Sequence, residues 1–276
     1  DFTAKPKFLI DIFRYKILSI YDTGTKTFFE LNLDKGIEVV PVDSGVLVDC
    51  IYNCEEKDKK EIELPKIPKT VQVIGSGSGF YVTSKGHIIT NNHVIEGCEK
   101  VLLDNEEVKI LSVNKKVDLA LLESKKTNSP FLYLRKNEIK QGEDIVVIGY
   151  PFGKDISAVS KITKGIVSSL FGVGNDETKI QIDAAIQTGN SGGPTIGLDA
   201  KVVGVTVASA NIAAFLEAFG AIAQNMNFSV KPKYVMNMMI ANGLDIPTTT
   251  EKLKMNTSEI YEYADPATVY LECWGR

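Results

Sequence analysis

The sequence predicts a mostly β fold, and three observations carry that prediction. Short runs rich in Val and Ile recur from Phe8 to Val207, most of them are bounded by Gly, Asn, Asp or Pro, and helical signal is scarce. β-Branched residues suit a pleated surface, and the bounding residues supply turn conformations, so this punctuation is that of antiparallel strands. With 276 residues, 44% of them apolar, the chain has the material for a sizeable core.

In chain order, apolar runs at 16–20, 27–33, 37–42 and 46–51 come first, followed by a charged turn at 55–60 and the connector Pro65-Lys66-Ile67-Pro68. Proline fixes φ and stiffens the chain, so that connector reads as a boundary behind an N-terminal β-rich segment, residues 1–69. The main unit, 70–243, carries runs at 71–74, 79–83, 87–90, 100–103, 108–113, 119–122, 144–148, 162–168, 179–182 and 202–207. Pro232, the stretch 233–241 and then Asn242-Gly243 predict one C-terminal helix with a proline start and a glycine stop. Residues 213–223 fit a short helix or an apolar loop equally. The tail, 244–276, is polar over 248–258 and ends in a strand candidate at 267–274, which returns either to the N-terminal segment or to an edge of the core.

Composition excludes several classes of function. The net charge is −4, and no Lys/Arg block is long enough to track a phosphate backbone, so nucleic acid is not an expected partner. The longest apolar stretch, 208–223, is broken by Asn211, Glu217 and Gly220 and falls short of the roughly 18 residues a membrane span needs. The chain opens at Asp1 without a leader, so any targeting segment is expected to have been removed or to lie outside it. Cys50, Cys54, Cys98 and Cys273 leave the disulfide pattern open. The Cys50/Cys54 spacing has no second local pair to complete a zinc site, so neither a metal nor a cofactor is expected.

The chemistry centres on Gly189-Asn190-Ser191-Gly192-Gly193-Pro194. A nucleophilic serine needs a tight turn that presents Oγ outward, with backbone N–H groups aimed into the same space, and flanking glycines permit that backbone. Gly189 and Ser191 are the expected N–H donors, with Asn190 between them in the same oxyanion turn. The base must be one of two histidines. His93, in Thr90-Asn91-Asn92-His93-Val94, lies where a strand ends, whereas His87 is expected on the outer face of a hairpin. An imidazole base needs a carboxylate to hold its tautomer, and Asp118 stands in the otherwise apolar run 117–122, where a buried acid requires a partner. Asp104, Asp144 and Asp183 sit beside turns or the serine loop and are weaker candidates.

These segments resemble trypsin-like serine peptidases of the HtrA/Deg type. The resemblance runs from Val71 to Ala241 through Gly75-Ser76-Gly77-Ser78-Gly79-Phe80, the His93 segment, Asp118-Leu119-Ala120-Leu121-Leu122, Ile148-Gly149-Tyr150-Pro151-Phe152-Gly153, Thr163-Lys164-Gly165-Ile166-Val167-Ser168 and 181–188. It implies a chymotrypsin-like double β-barrel, the first barrel at about 70–135 and the second at about 136–230, with His93 and Asp118 from the first and Ser191 from the second. The chain departs from the pattern at three places: residues 1–69 match nothing in the family, no PDZ-like domain is expected after the helix, and Gln187-Thr188 stands where Asn-Pro is usual.

The expected function is a serine endopeptidase acting through an acyl-enzyme, ATP-independent and HtrA-like. The alternative is a catalytically silent protease fold used for binding or as a chaperone. Asn190 is a neutral amide, so it cannot pair with a newly cut N-terminal ammonium, and control is expected instead through ordering of the loops at 151–161 and 209–227. Ala185, Ile186, Val207, Ala208 and Ser209 are the expected lining of the specificity pocket; none is charged, which favours small or medium aliphatic side chains before the cut. Protein or peptide substrates are the expected partners, a homo-oligomer is left open, and the setting is expected to be extracytoplasmic, periplasmic or secreted.

Overall fold

The computed structural model describes residues 8–12, 17–22, 27–32, 71–153, 159–207, 225–251 and 253–276. The chain divides into two compact units, Asp1–Ile67 and Pro68–Arg276. The first contains an antiparallel three-stranded sheet, β1 (Phe8–Ile12), β2 (Ile17–Asp22) and β3 (Thr27–Asn32). The runs expected at 37–42 and 46–51, with Cys50 and Cys54, lie outside the described residues, as does 213–223.

The second unit holds two closed six-stranded barrels. The first barrel is built from β4 (Gln72–Tyr81), β5 (His87–Thr90), β6 (Lys100–Leu103), β7 (Glu106–Asn114), β8 (Leu119–Glu123) and the C-terminal β15 (Thr268–Gly275), ordered β15-β4-β5-β8-β7-β6. The second comprises β9 (Asp144–Gly149), β10 (Lys161–Ser169), β11 (Lys179–Ile182), β12 (Pro194–Gly197), β13 (Val202–Val207) and β14 (Asn227–Val230), ordered β10-β11-β14-β13-β12-β9. Among the described residues three α-helices accompany them: α1 (Asn92–Ile95), α2 (Pro232–Ala241) and α3 (Thr257–Ala264). This mostly β architecture is the one the resemblance implied.

Strand alternation explains the unbroken apolar runs. Along β8, Ala120 and Leu122 fill the first barrel, while Leu119 and Leu121 join a layer that includes Val146 and Ile148 of β9. Ile145 and Val147 point the other way, into the second barrel. Successive side chains leave a strand on opposite faces, so a strand buried on both faces is apolar throughout. α2 and α3 join the intervening layer through Val235, Met239, Ile260 and Ala264, all below one-tenth exposed. Each fully buried aliphatic side chain contributes about 1.5–3 kcal/mol.

β4 is one ten-residue strand rather than two runs, because it continues through Gly75-Ser76-Gly77-Ser78. The glycines allow close approach: a Cβ at Gly77 would lie 2.7 Å from the Val94 methyls. β15 resolves the question of where the C-terminal strand returns. It pairs with β4 from Thr268↔Phe80 to Gly275↔Gln72 and with β6 from Glu272↔Leu102 to Trp274↔Lys100, closing the first barrel at the edge of the core. Its odd-numbered residues, Val269, Leu271 and Cys273, are buried, and Cys273 forms a disulfide with Cys98 across 175 residues of sequence.

Candidate active site

α1 follows directly on β5 and carries His93. The His93 N–H donates to Asp118 Oδ1 at 2.9 Å, and His93 Nδ1 lies 2.7 Å from Asp118 Oδ2. An ionised carboxylate can only accept, so in the neutral ring Nδ1 carries the proton and Nε2 is left as the basic nitrogen. Asn91 completes the frame by donating from Nδ2 to the Asp118 carbonyl at 2.8 Å. Asp118 does not lie within the strand as the apolar run suggested. β8 begins at Leu119, and Asp118 ends the preceding turn with φ 58. That left-handed backbone is one Asp tolerates better than most residues.

The serine turn rests on the same elements. Ser191 is buried at 4% exposure, and its carbonyl accepts from Ser78 N–H at 2.8 Å. A Cβ at Gly192 would meet the Ser78 carbonyl and Thr90 Oγ1 at 2.2 Å and Asn91 N at 3.0 Å, and one at Gly77 would lie 3.1 Å from the Ser191 carbonyl. Gly192, with φ 85, thus packs against Thr90 and Asn91, the residues that lead into His93.

Gln187-Thr188-Gly189-Asn190 forms a turn closed by Asn190 N–H to the Gln187 carbonyl at 3.0 Å, with Gly189 at φ 100. A positive φ at the third position is the mark of a type II turn and favours glycine. Here the need is also steric, since a Cβ on Gly189 would lie 2.2 Å from the Tyr150 carbonyl. The Thr188 carbonyl accepts from Phe152 N–H at 2.7 Å. In a trans peptide C=O and N–H point oppositely, so this bond turns the Gly189 N–H away from the 150–153 segment. The Asn190 N–H, by contrast, is occupied in closing the turn. Ser78 anchors the arrangement: its Oγ donates to the Gly189 carbonyl at 2.7 Å and accepts from Tyr150 N–H at 3.0 Å.

Of the expected pocket lining, Ala185 is exposed, Ile186 is buried at 9% and Val207 at 7%, while Ala208 and Ser209 lie outside the described residues. His87 is not on an outer face. It is buried at 6%, with Nδ1 2.7 Å from Thr83 Oγ1, and desolvation lowers its pKa despite the opposing Glu123 charge. Asp183 serves locally, accepting from Ile166 N–H at 2.6 Å. Ser78, Thr90 and Asn91 join the site without having been expected there, although all three lie within the Gly-Ser-Gly-Ser-Gly and Thr-Asn-Asn-His segments.

Two closed barrels, an acid–imidazole pair on the first and a glycine-flanked serine turn leading into the second define the chymotrypsin-like class of folds. Residues 77–205 match the trypsin-like peptidase domain family. A probable periplasmic serine endoprotease DegP-like of Rickettsia prowazekii is 40% identical over 166 residues, covering 55% of this chain and 32% of that protein. The uncharacterized protein y4bJ of Sinorhizobium fredii is 31% identical over 214 residues, covering 76% of this chain and 34% of that one. Among solved structures, the HtrA-type protease AlgW with a decapeptide superposes with a TM-score of 0.50 at 28% identity, covering 60% of this chain and 51% of that one. Over residues 77–205 the chain is thus similar to trypsin-like peptidase domains, with relatives and solved neighbours of the DegP and HtrA kind, and it spans about a third of the length of these curated relatives.

Proposed function

We propose that the chain is a serine endopeptidase that cleaves protein substrates without ATP, with His93, Asp118 and Ser191 as its triad. The observation that carries this reading is the His93–Asp118 pair: both carboxylate oxygens hold the residue, one at its N–H and one at its ring. The doubly held imidazole offers Nε2 as base to the Ser191 hydroxyl, whose oxygen attacks the scissile carbonyl. The alkoxide that develops is stabilised by the Gly189 and Ser191 N–H groups, each such donor being worth about 10²–10³-fold in rate. His93 then returns the proton to the leaving amine, and water, deprotonated by the same nitrogen, hydrolyses the acyl-enzyme. Anchoring of the Thr188 carbonyl to Phe152 supports a competent oxyanion turn despite Gln187-Thr188, and this weighs against the silent binding or chaperone reading.

The uncharged Ala185, Ile186 and Val207 favour a small or medium aliphatic residue before the cut. An extracytoplasmic setting is supported by the Cys98–Cys273 disulfide and by the DegP-like relatives described as periplasmic. No helix among the described residues is long and apolar enough to cross a membrane. Incubation with an unfolded protein such as reduced casein, followed by mass spectrometry of the products, tests the reading. The expected result is ATP-independent fragments ending mostly in Ala, Val or Ile; fragments ending mainly in Lys or Arg would refute the pocket assignment, and an intact substrate would refute the activity.

A further inference from the structure

The residues that aim the Gly189 N–H are themselves held by the last strand of the chain. Tyr150, just past the end of β9, packs its ring edge-on against Tyr270 of β15, with centroids 5.6 Å apart and planes at 62°. Its hydroxyl donates to the Thr268 carbonyl, also on β15, at 3.4 Å. Burial, with the Asp265 charge adding to it, pushes the Tyr150 pKa up to about 12, so the group stays a neutral donor near neutral pH. Tyr270 stands opposite Ser78 in the β15–β4 ladder, and Ser78 Oγ is the atom that links Tyr150 N–H to the Gly189 carbonyl.

The turn after Tyr150 leans on the same ring. Gly153 donates its N–H to the Tyr150 carbonyl at 3.0 Å, and a Cβ placed on it would lie 2.9 Å from the Tyr270 hydroxyl. Phe152, the donor to Thr188, has φ 59, and Gly153 has φ 66. A left-handed phenylalanine is strained and persists only where its surroundings impose it. Phe152 is 51% exposed, so its own side chain contributes little of that support. What brackets the turn instead is the Phe152 N–H bond to the Thr188 carbonyl, the Gly153 N–H bond to the Tyr150 carbonyl and the Tyr150–Tyr270 ring pair, and Tyr270 lies outside the 77–205 stretch that matches the peptidase family.

We propose that Tyr150 and Tyr270 are positioning residues, through which β15 holds the 150–153 turn and keeps the Thr188–Gly189 peptide oriented with its N–H toward the developing oxyanion. The C-terminal strand is on this account part of the catalytic apparatus as well as a barrel stave. The proposal rests on the peptidase reading. Coupling of this kind acts on the transition state, because the oxyanion contact forms fully only there, and leaves ground-state binding nearly unchanged.

The test uses the full chain with Tyr270→Leu, Tyr270→Phe, Tyr150→Leu and the Tyr150→Leu/Tyr270→Leu double variant, with rates expressed per titrated active site. Tyr270 is only half-buried and its strand is pinned by the disulfide at Cys273, so truncation there is compatible with folding, which thermal unfolding checks. Tyr270→Leu is expected to lower kcat for a peptide ester about tenfold or more with KM changed less than about threefold, a part of what one misaimed oxyanion donor costs. Inhibition by a peptide aldehyde, whose adduct places an oxygen on the same N–H groups, weakens in proportion. Tyr270→Phe keeps the ring and restores most of the rate, and the double variant falls no further than the worse single one, as two halves of one contact should. A folded Tyr270→Leu enzyme with unchanged kcat and aldehyde affinity, or fully additive losses in the double variant, would overturn the coupling alone. An inert wild-type chain would instead overturn the peptidase reading beneath it.

Discussion

Replacing His93 with Ala is expected to lower kcat for peptide hydrolysis by about 10⁶-fold, with KM little changed and the folding transition intact. The size of the effect follows from what the ring does: without a base the Ser191 hydroxyl stays protonated and is a poor nucleophile. His93 is exposed and its removal opens no core cavity, so the loss falls on chemistry rather than on stability. Asp118→Asn should cost about 10⁴-fold at neutral pH. The carboxylate accepts both from the His93 N–H and from Nδ1. An amide in its place can offer an N–H to Nδ1, which stabilises the wrong tautomer and puts the proton on Nε2. Combining the two substitutions should cost hardly more than His93→Ala alone, since the acid acts only through the ring. Steady-state kinetics on a peptide ester, beside thermal unfolding of each variant, measures all three.

Loss of the Cys98–Cys273 bond carries the largest expected effect on stability. The bond closes a loop of 175 residues, and chain-entropy reasoning assigns such a link about 5 kcal/mol, toward the top of the measured range of about 2–5 kcal/mol. Its position adds to its importance. Cys98 lies just past α1, its Sγ within 3.8 Å of the Val94 carbonyl, while Cys273 is buried inside the strand that closes the first barrel. Opening it leaves the C-terminal strand to its two ladders, its inward side chains and non-covalent contacts such as the Tyr150–Tyr270 pair. The Cys98→Ser/Cys273→Ser pair is expected to unfold at a denaturant midpoint lower by an amount equivalent to about 2–5 kcal/mol, and thiol reductant should bring the wild-type chain to the same midpoint. A midpoint shared by the oxidised wild-type chain and the Cys98→Ser/Cys273→Ser variant would contradict this.

How much was legible in the sequence depended on where the information lay. Buried strands such as β8 and β9 announced themselves because both of their faces are apolar, and α2 because proline and glycine mark its ends. β12 and β14 went unread: each has only four residues, one opens with Pro194, and neither has an apolar run long enough to signal a strand. α3 went unread just behind the polar stretch 248–258, although Asn256 and Glu259 form a capping box, which was a readable signal. The segments bearing His93, Asp118 and Ser191 were visible as local chemistry. The frame around them was less so, since Ser78, Asn91 and Tyr270 act through contacts across 111, 27 and 120 residues and no local pattern encodes such distances. His87 misled for a related reason: a polar residue beside a turn reads as exposed until its partner Thr83 and the barrel wall are in place.

The central claim is that the Ser191 hydroxyl is the nucleophile. Intact-protein mass spectrometry after treatment with a fluorophosphonate, followed by peptide mapping, addresses it without reference to any substrate. A single stoichiometric adduct on Ser191, absent in Ser191→Ala and slowed by orders of magnitude in His93→Ala, is the result expected. No adduct on the folded wild-type chain, or one on a serine other than Ser191, would contradict it.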